Sequence, residues 1–298
     1  MNDLAVRATG VGKDYKHFSL DNVHLTIPRG QIVGFIGPNG AGKSTTIRIL
    51  MGLVHQDRGE VSVLGHPMPR DQVAAKWQIG FASEDMRLYE SETLDWHMRF
   101  VRSIYATWDE PYAQVLLKRF DVRRDQRIKG LSHGQRVKAM LLLVLARRPE
   151  LLLLDEPTTG LDPVARHEVL EELAAVLADE RRSVLFSSHN TADVEQISDQ
   201  ITFIDRGRIV DSRDKETFLD RWRRLRVEVP NGVRLPAVDS IVHFRQDGHL
   251  AVATTNAFEP GIPQVYEAAG ARVCSVENMT LEEIFVASVR HSREGVEA

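Results

Sequence analysis

A glycine-rich stretch contains the residues best suited to bind a polyphosphate. Residues 34–45 read GFIGPNGAGKST, with Gly37, Gly42, Lys43 and Ser44 at the spacing of a phosphate-binding P-loop. Glycines allow backbone N–H groups to face phosphate oxygens at the start of a helix. A lysine can reach the β- and γ-phosphates, and a serine hydroxyl can bind Mg²⁺. The predicted nucleoside triphosphate site consists of Gly37, Pro38, Asn39, Gly40, Ala41, Gly42, Lys43, Ser44 and Thr45.

A carboxylate pair follows a second apolar run. Four leucines at residues 151–154 lead to Asp155 and Glu156. A P-loop needs a second Mg²⁺ ligand at the end of a neighbouring strand, and Asp155 is the candidate. Glu156 is the candidate general base for the attacking water. Without the P-loop, capping of the next helix would be an alternative role for the same pair.

Strands and helices must alternate to position these residues. Apolar, β-branched runs predict strands, and Arg206 with Gly207 predicts a hairpin turn between two further strands. The predicted strands are residues 31–37, 61–65, 77–83, 150–156 and 183–188.

Helices are predicted from Lys43 to about Leu53, and from the cap at Asp162 to about Asp179. Residues from about 86 to 148 show helical spacing of apolar side chains. The alternation predicts an α/β sheet with helices on both faces, into which a helical subdomain is inserted.

The pattern changes near Trp222. RLRVEV, IVHFRQ and HLAVATT alternate with a period of two, and Asp247 with Gly248 predicts a turn between the last two. TLEEIFVASVR, residues 280–290, predicts an amphipathic helix. We therefore expect two domains, residues 1–222 and a small α+β domain at residues 223–298.

Composition limits the classes of function. The net charge of −4 gives no basic field for nucleic acid. Cys274 is the only cysteine, which excludes an internal disulfide and fits a reducing compartment. The N-terminal residues lack a secretory signal pattern, and the apolar runs are shorter than the roughly 20 residues that span a bilayer. We expect a cytoplasmic protein that would act at a membrane only through a partner.

The order of the motifs resembles that of the ATP-binding cassette (ABC) ATPases. LSHGQ lies at residues 131–135, between the P-loop and LLLLDEP, and TTGLD and SSH follow. The resemblance covers roughly residues 3–220 and implies a P-loop NTPase core. It also implies that Ser132, Gly134 and Gln135 complete the nucleotide site of an opposite subunit. His133 stands where the family usually has glycine, which is compatible only with a backbone angle that does not require glycine.

Four further positions acquire roles from the resemblance. Tyr15 would stack on adenine, and Asp162 would contact the other subunit across the dimer. His189 would contact the γ-phosphate. Glu84, with Asp85 beside it, occupies the position of a glutamine that touches Mg²⁺ and senses the permease. The alternatives from the residues alone are a buried tyrosine, a helix cap, a structural histidine and a solvated acidic loop.

Residues 105–122 and the segment NMTLEEIFVAS are similar to bacterial exporter ATPases encoded apart from their permeases, including antibiotic-responsive, acetoin-utilisation, drug and sodium export types. The resemblance implies an ATPase that uses ATP and Mg²⁺, pairs head to tail with a second copy and drives a separate permease. Such a subunit would lie at the cytoplasmic face of the inner membrane. We expect no nucleic-acid partner.

Two other classes of function remain open from the sequence. One is a soluble cassette ATPase that acts on ribosomes or DNA, and the other is a regulator that binds ATP without turnover. The basic run RWRRLR at residues 221–226 is compatible with a lipid-facing or partner-facing patch, and with a solvated helix end.

Overall fold

The parallel sheet predicted from the apolar runs is present in the computed structural model, which describes residues 4–176 and 182–297. The chain forms two compact units, Met1–Ile209 and Val210–Ala298. In chain order the elements up to the second unit are β1 (Leu4–Tyr15), β2 (Phe18–Pro28), β3 (Ile32–Ile36), α1 (Lys43–Leu50), β4 (Arg58–Val63), β5 (His66–Met68), α2 (Gln72–Gln78), β6 (Ile79–Ser83), α3 (Leu94–Ile104), α4 (Glu110–Arg119), α5 (His133–Leu145), β7 (Leu151–Asp155), α6 (Pro163–Val176), β8 (Ser183–Ser188), α7 (Thr191–Ile197), β9 (Gln200–Asp205) and β10 (Arg208–Asp214).

The six-stranded sheet has the order β10, β9, β3, β8, β7, β6. Strand β3 runs parallel to β8 and β9, and β7 runs parallel to β6 and β8. All residues of β3, β7 and β8 are buried, as expected for central parallel strands. The carboxyl ends of these three strands therefore bring the P-loop, the carboxylate pair and His189 to one edge of the sheet.

A second sheet, of order β2, β1, β4, β5, was not predicted. Strands β1 and β2 pair antiparallel with three register shifts, which interrupt the alternation that a sequence pattern would show in β1. The predicted strand at residues 61–65 belongs to this sheet but ends at Val63, because Leu64 and Gly65 both have positive φ. Apolar side chains of the two sheets, including Val6, Leu25, Phe35 and Leu153, form one core.

Two predicted boundaries shift. The strand predicted at residues 77–83 begins at Ile79, and Trp77 ends helix α2. Helix α1 ends at Leu50 instead of Leu53, because the chain turns at Gly52, which has φ of 64°. Helix α6 is described to Val176, and its predicted end near Asp179 lies outside the described residues. The predicted helical subdomain is confirmed as α3, α4 and α5.

The second unit contains an antiparallel sheet and three helices. After β10 the elements are α8 (Lys215–Arg221), β11 (Arg223–Glu228), β12 (Ile241–Asp247), β13 (Leu250–Thr255), α9 (Ile262–Ala268), β14 (Arg272–Asn278) and α10 (Leu281–Glu297). The sheet order is β12, β13, β11, β14, and Leu225, Val227, Ala253 and Tyr266 lie in its core. The sequence predicted β11, β12, β13 and the last helix but not α8, α9 or β14.

The basic run at residues 221–226 lies within this unit and is not a solvated helix end. Trp222 is buried, Arg224 pairs with Glu283 at 2.8 Å, and Arg226 pairs with Glu277 at 2.7 Å. The arginines therefore stabilise their own unit. Among residues 4–176 and 182–297, no helix combines the length and apolar character needed to cross a membrane.

Candidate nucleotide site

The P-loop connects β3 to α1, as its sequence predicts. Gly37 lies so close to β9, which neighbours β3 in the sheet, that a Cβ atom on Gly37 would be 2.4 Å from the carbonyl oxygen of Ile204. Gly42 caps α1 with φ of 111°, a conformation that favours glycine. These two positions require glycine for steric reasons, and the loop thereby exposes its backbone N–H groups at a helix N-terminus.

Lys43 is 5% exposed, and its ammonium group points back into the loop. Its Nζ donates to the carbonyl oxygen of Gly37 at 2.6 Å and lies 3.1 Å from Oε1 of Glu156. The second contact joins opposite charges but lacks hydrogen-bond geometry, so Oε1 of Glu156 is buried without a hydrogen-bond donor. One buried cation thus connects the P-loop to the candidate general base.

Glu156 makes more contacts at this edge than the sequence indicated. It has φ of 54°, an uncommon left-handed conformation, and its backbone N–H donates to Ser187. Its Oε2 accepts from Thr159 Oγ1 at 3.1 Å and lies 2.8 Å from Nδ1 of His189. The carboxylate is therefore fixed by two loops, with one oxygen toward Lys43 and the other toward His189.

Asp155 and Ser44 could hold Mg²⁺. Asp155 is 6% exposed, and its Oδ1 accepts from the hydroxyl of Ser187 at 2.8 Å. Ser44 is half-buried in the first turn of α1. Within the described ranges, no group of three or more His, Cys, Asp or Glu side chains could hold a metal. One carboxylate and one hydroxyl fit Mg²⁺, which binds through few protein oxygens together with substrate phosphates.

Tyr15 is exposed, so the alternative of a buried tyrosine is wrong. Its ring is 47% exposed and stacks on Phe18 with 6.4 Å between the centroids. Phe18 in turn lies against the P-loop, since a Cβ atom on Gly42 would be 2.9 Å from Phe18 Cζ. Tyr15 therefore presents an open aromatic face beside the phosphate-binding loop.

Glu84 follows β6 and is exposed. Its backbone N–H donates to the carbonyl oxygen of Asp155 at 3.3 Å, and its carbonyl oxygen accepts from Arg87 at 2.7 Å. Asp85, the neighbouring acid, pairs instead with Arg48. Glu84, Glu156 and His133 line one cavity of about 230 Å³. The backbone of Glu84 is thus beside the candidate metal ligand, while the residue is exposed at the edge of this cavity.

The signature segment, residues 131–135, begins α5 through a capping box. Ser132 Oγ accepts from the N–H of Gln135 at 3.2 Å, and Oε1 of Gln135 accepts from the N–H of Ser132 at 3.1 Å. His133 is the first helical residue and is not among the described residues with positive φ. Glycine is therefore not required there, and the departure from the family pattern is compatible with the backbone.

Asp162 caps α6, as one of its two interpretations predicts. Its Oδ1 accepts from the N–H groups of Ala165 at 3.0 Å and Val164 at 2.9 Å. The bond from Ala165 is the main cause that lowers the pKa of the Asp162 carboxyl below its ordinary value. A contact across a dimer stays a prediction.

Ser187 and Thr159 were missed in the sequence. Ser187 joins Asp155 to the backbone of Glu156, and Thr159 holds the Glu156 carboxylate. Ser187 is a polar residue within a fully buried strand, which is a detectable signal that a partner must be near. Thr159 gave no comparable signal, because its partner is set by the path of the loop.

The fold and the site together define a P-loop nucleotide-binding protein. A family model described as "ABC transporter" matches residues 20–159. ABC transporter ATP-binding protein YtrB of Bacillus subtilis strain 168 is 30% identical over 72% of this chain and 74% of its own length. Linearmycin resistance ATP-binding protein LnrL of the same strain is 31% identical over 80% of each chain. The solved structure titled "Structure of ATP binding subunit of ABC transporter" is 29% identical, with a TM-score of 0.65 over 70% of this chain and 90% of that one.

The chain belongs to the ABC transporter ATP-binding proteins. It binds ATP and is an ATPase of this family.

Proposed function

We propose that the chain is the ATP-hydrolysing subunit of a bacterial exporter, acting as a head-to-tail dimer on a separate permease. Each nucleotide site would contain residues of both copies. One copy would contribute Ser132 and Gly134, and the other would contribute Lys43, Ser44, Asp155, Glu156 and His189. Tyr15 would stack on adenine. The observation that carries this proposal is the contact of Glu156 with the buried Lys43 on one side and with the exposed His189 on the other.

Hydrolysis follows from this arrangement. Water attacks the γ-phosphorus, Glu156 accepts the water proton, and the bond to the β–γ bridging oxygen breaks to give ADP and phosphate. Oε1 of Glu156 faces Lys43, whereas Oε2 is held by Thr159 and His189. When phosphates attract Lys43, Oε1 is released from its buried ion pair and can bind the attacking water. Ser44 and Asp155 would hold Mg²⁺, which neutralises phosphate charge when it is bound.

Names of relatives support the transport role. LnrL is named for linearmycin resistance, and further relatives are named for Nod factor export and daunorubicin resistance. A solved neighbour is described as part of the transporter complex cbiONQ. We infer export through a separate permease, which would place this chain at the cytoplasmic face of the inner membrane. Closure of the dimer on ATP would then move the permease through the helical subdomain.

The decisive variant is Glu156→Gln, measured in the complex with the proposed permease, which copurification experiments would identify. An amide of the same shape cannot accept the water proton. Turnover should therefore fall by at least about a hundredfold, while ATP affinity is retained and the closed dimer accumulates. Glu60→Gln, an exposed change on β4, is the matched control and should leave turnover unchanged.

Near-normal turnover in Glu156→Gln would refute the assignment of the base. Copurification with ribosomes or DNA in place of a membrane protein would support the soluble alternative. ATP binding without steady-state turnover in the wild type would support the regulator.

A further inference from the structure

His133 makes a contact that neither the P-loop chemistry nor the signature segment explains. Its Nε2 lies 3.1 Å from the carbonyl oxygen of Thr159, which is 26 residues away in the chain. A carbonyl oxygen only accepts, so Nε2 carries the proton and donates it. The imidazole ring thus connects the first residue of α5 to the loop of residues 157–162 that precedes α6.

The ring also packs against this loop. A Cβ atom on Gly160 would be 3.0 Å from Nε2 of His133, and Gly160 has φ of 72°. Leu161 and Ala165 would each be 3.7 Å from a Cβ atom on Gly134. The start of α5 therefore lies on the loop and on the first turn of α6.

Thr159 passes this connection on to the catalytic edge. Its N–H donates to the Glu156 carbonyl oxygen at 3.2 Å, and its hydroxyl donates to Oε2 of Glu156 at 3.1 Å. A single residue therefore stands between the imidazole of His133 and the candidate general base. His133, Thr159 and Glu156 also line one cavity.

We propose that His133 is a positioning residue that couples the two nucleotide sites of the dimer. The inference rests on the proposed function, in which Ser132 of one copy binds the nucleotide of the other copy. A nucleotide that draws in Ser132 also moves the adjacent His133. His133 then shifts Thr159 and sets the orientation of Glu156 in its own copy. Occupation of one site would thereby prepare hydrolysis at the second.

The first test compares His133→Leu with His133→Gln in the complex with the permease. Leucine lacks a donor, whereas the Gln amide nitrogen can take the place of Nε2. His133→Leu should lower kcat about two- to tenfold, as expected for one hydrogen bond, with KM and Tm near wild type. His133→Gln should restore most of the loss, and His167→Leu on the exposed face of α6 is the control. Unchanged kcat in His133→Leu would overturn the proposal, as would equal losses with a lowered Tm in both variants.

A second test locates the effect in the dimer. A mixed dimer of one Lys43→Ala copy and one Ser132→Arg copy keeps a single intact site, formed by Glu156 of the Ser132→Arg copy. His133→Leu added to that same copy changes a signature segment that no longer serves a site. Turnover should still fall two- to tenfold, because the hydrogen bond from His133 to Thr159 orients the Glu156 of the intact site even when no nucleotide reaches Ser132 of that copy.

A loss of turnover only when His133→Leu is placed in the Lys43→Ala copy would show direct contact with the partner's nucleotide, and would overturn the proposal. Failure of the parent mixed dimer to turn over would instead count against the shared-site dimer itself. The two failures are therefore distinguishable.

Discussion

Two regions of this chain differ in how many of their polar groups have partners within one copy. They are the P-loop side, which consists of the P-loop with Asp155 and Glu156, and the signature side, residues 131–135. Lys43 and Asp155 are 5% and 6% exposed, and both have buried partners from neighbouring strands and loops. Ser132 and His133 are exposed, and the Ser132 hydroxyl is used only in a capping box within the described structure.

This difference indicates which half is formed in advance. The parallel sheet positions the P-loop side through strands β3, β7 and β8, which are paired with one another along their length. The signature side is the N-terminus of α5, and the first N–H groups of a helix have no hydrogen-bond acceptor within the helix itself. A second copy that supplies a nucleotide would provide it, which is why the comparison favours a shared site.

Separating the two halves between copies gives the largest expected effect. Lys43→Ala and Ser132→Arg homodimers should each lose turnover by about a hundredfold, because both composite sites carry a lesion. Mixing the two chains leaves one site with both intact halves, so turnover should recover well above either parent. Differently tagged chains and a tandem purification allow ATPase to be measured on mixed dimers alone. If the mixed dimers show no recovery of ATPase, both lesions act on a nucleotide site formed within a single chain, and the shared-site model is contradicted.

Substitutions of Tyr15 test whether the exposed aromatic face beside the P-loop binds the adenine ring of ATP. Loss of stacking in Tyr15→Ala should raise the KM for ATP about tenfold, with a smaller change in kcat. Tyr15→Phe keeps the aromatic face and should behave as wild type. ATP titrations of both variants check this, and equal KM values for Tyr15→Ala and wild type would exclude adenine stacking.

The smallest effect is expected at Glu84, whose backbone is fixed and whose carboxylate is exposed. A single charge near the metal in water is worth about 1 kcal/mol, so Glu84→Gln should raise the Mg²⁺ needed for half-maximal ATPase by roughly fivefold. ATP binding without Mg²⁺ should stay nearly unchanged. Glu90→Gln, on the wall of the same cavity, is the control. Superimposable Mg²⁺ titrations for Glu84→Gln and wild type would favour the solvated-loop interpretation.

The sequence predicted the P-loop side better than it predicted the rest. The spacing of Gly37 to Ser44 and the apolar run before Asp155 are local patterns, and local chemistry determines the strand–loop–helix that they form. Bulges break the period of β1, whereas Val23, Leu25 and Ile27 of β2 do alternate at every second position and this signal was overlooked. Trp77 was assigned to a strand for its apolar character, although pairing with β7 begins only at Ile79.

Contacts between residues that are far apart in the chain could not be predicted from the sequence. The bond from His133 to Thr159 depends on how α5 meets the loop before α6, and no periodicity encodes that meeting. No local pattern indicated the left-handed backbone of Glu156 or the bond from its N–H to Ser187 on the neighbouring strand. The roles of individual site residues stay predictions until the variants are measured.

Glu172 on α6 has an evolutionary consequence. This buried carboxylate accepts from the hydroxyl of Tyr112 and pairs with Arg119, both on α4. Burial and the Glu172 hydrogen bond raise the pKa of Tyr112, which keeps its phenol neutral. Replacing Glu172 alone would leave a guanidinium and a hydroxyl without their acceptor. Positions 112, 119 and 172 should therefore change together among relatives. Substitutions at 112 and 119 in the helical subdomain should be accompanied by substitutions at 172 in α6.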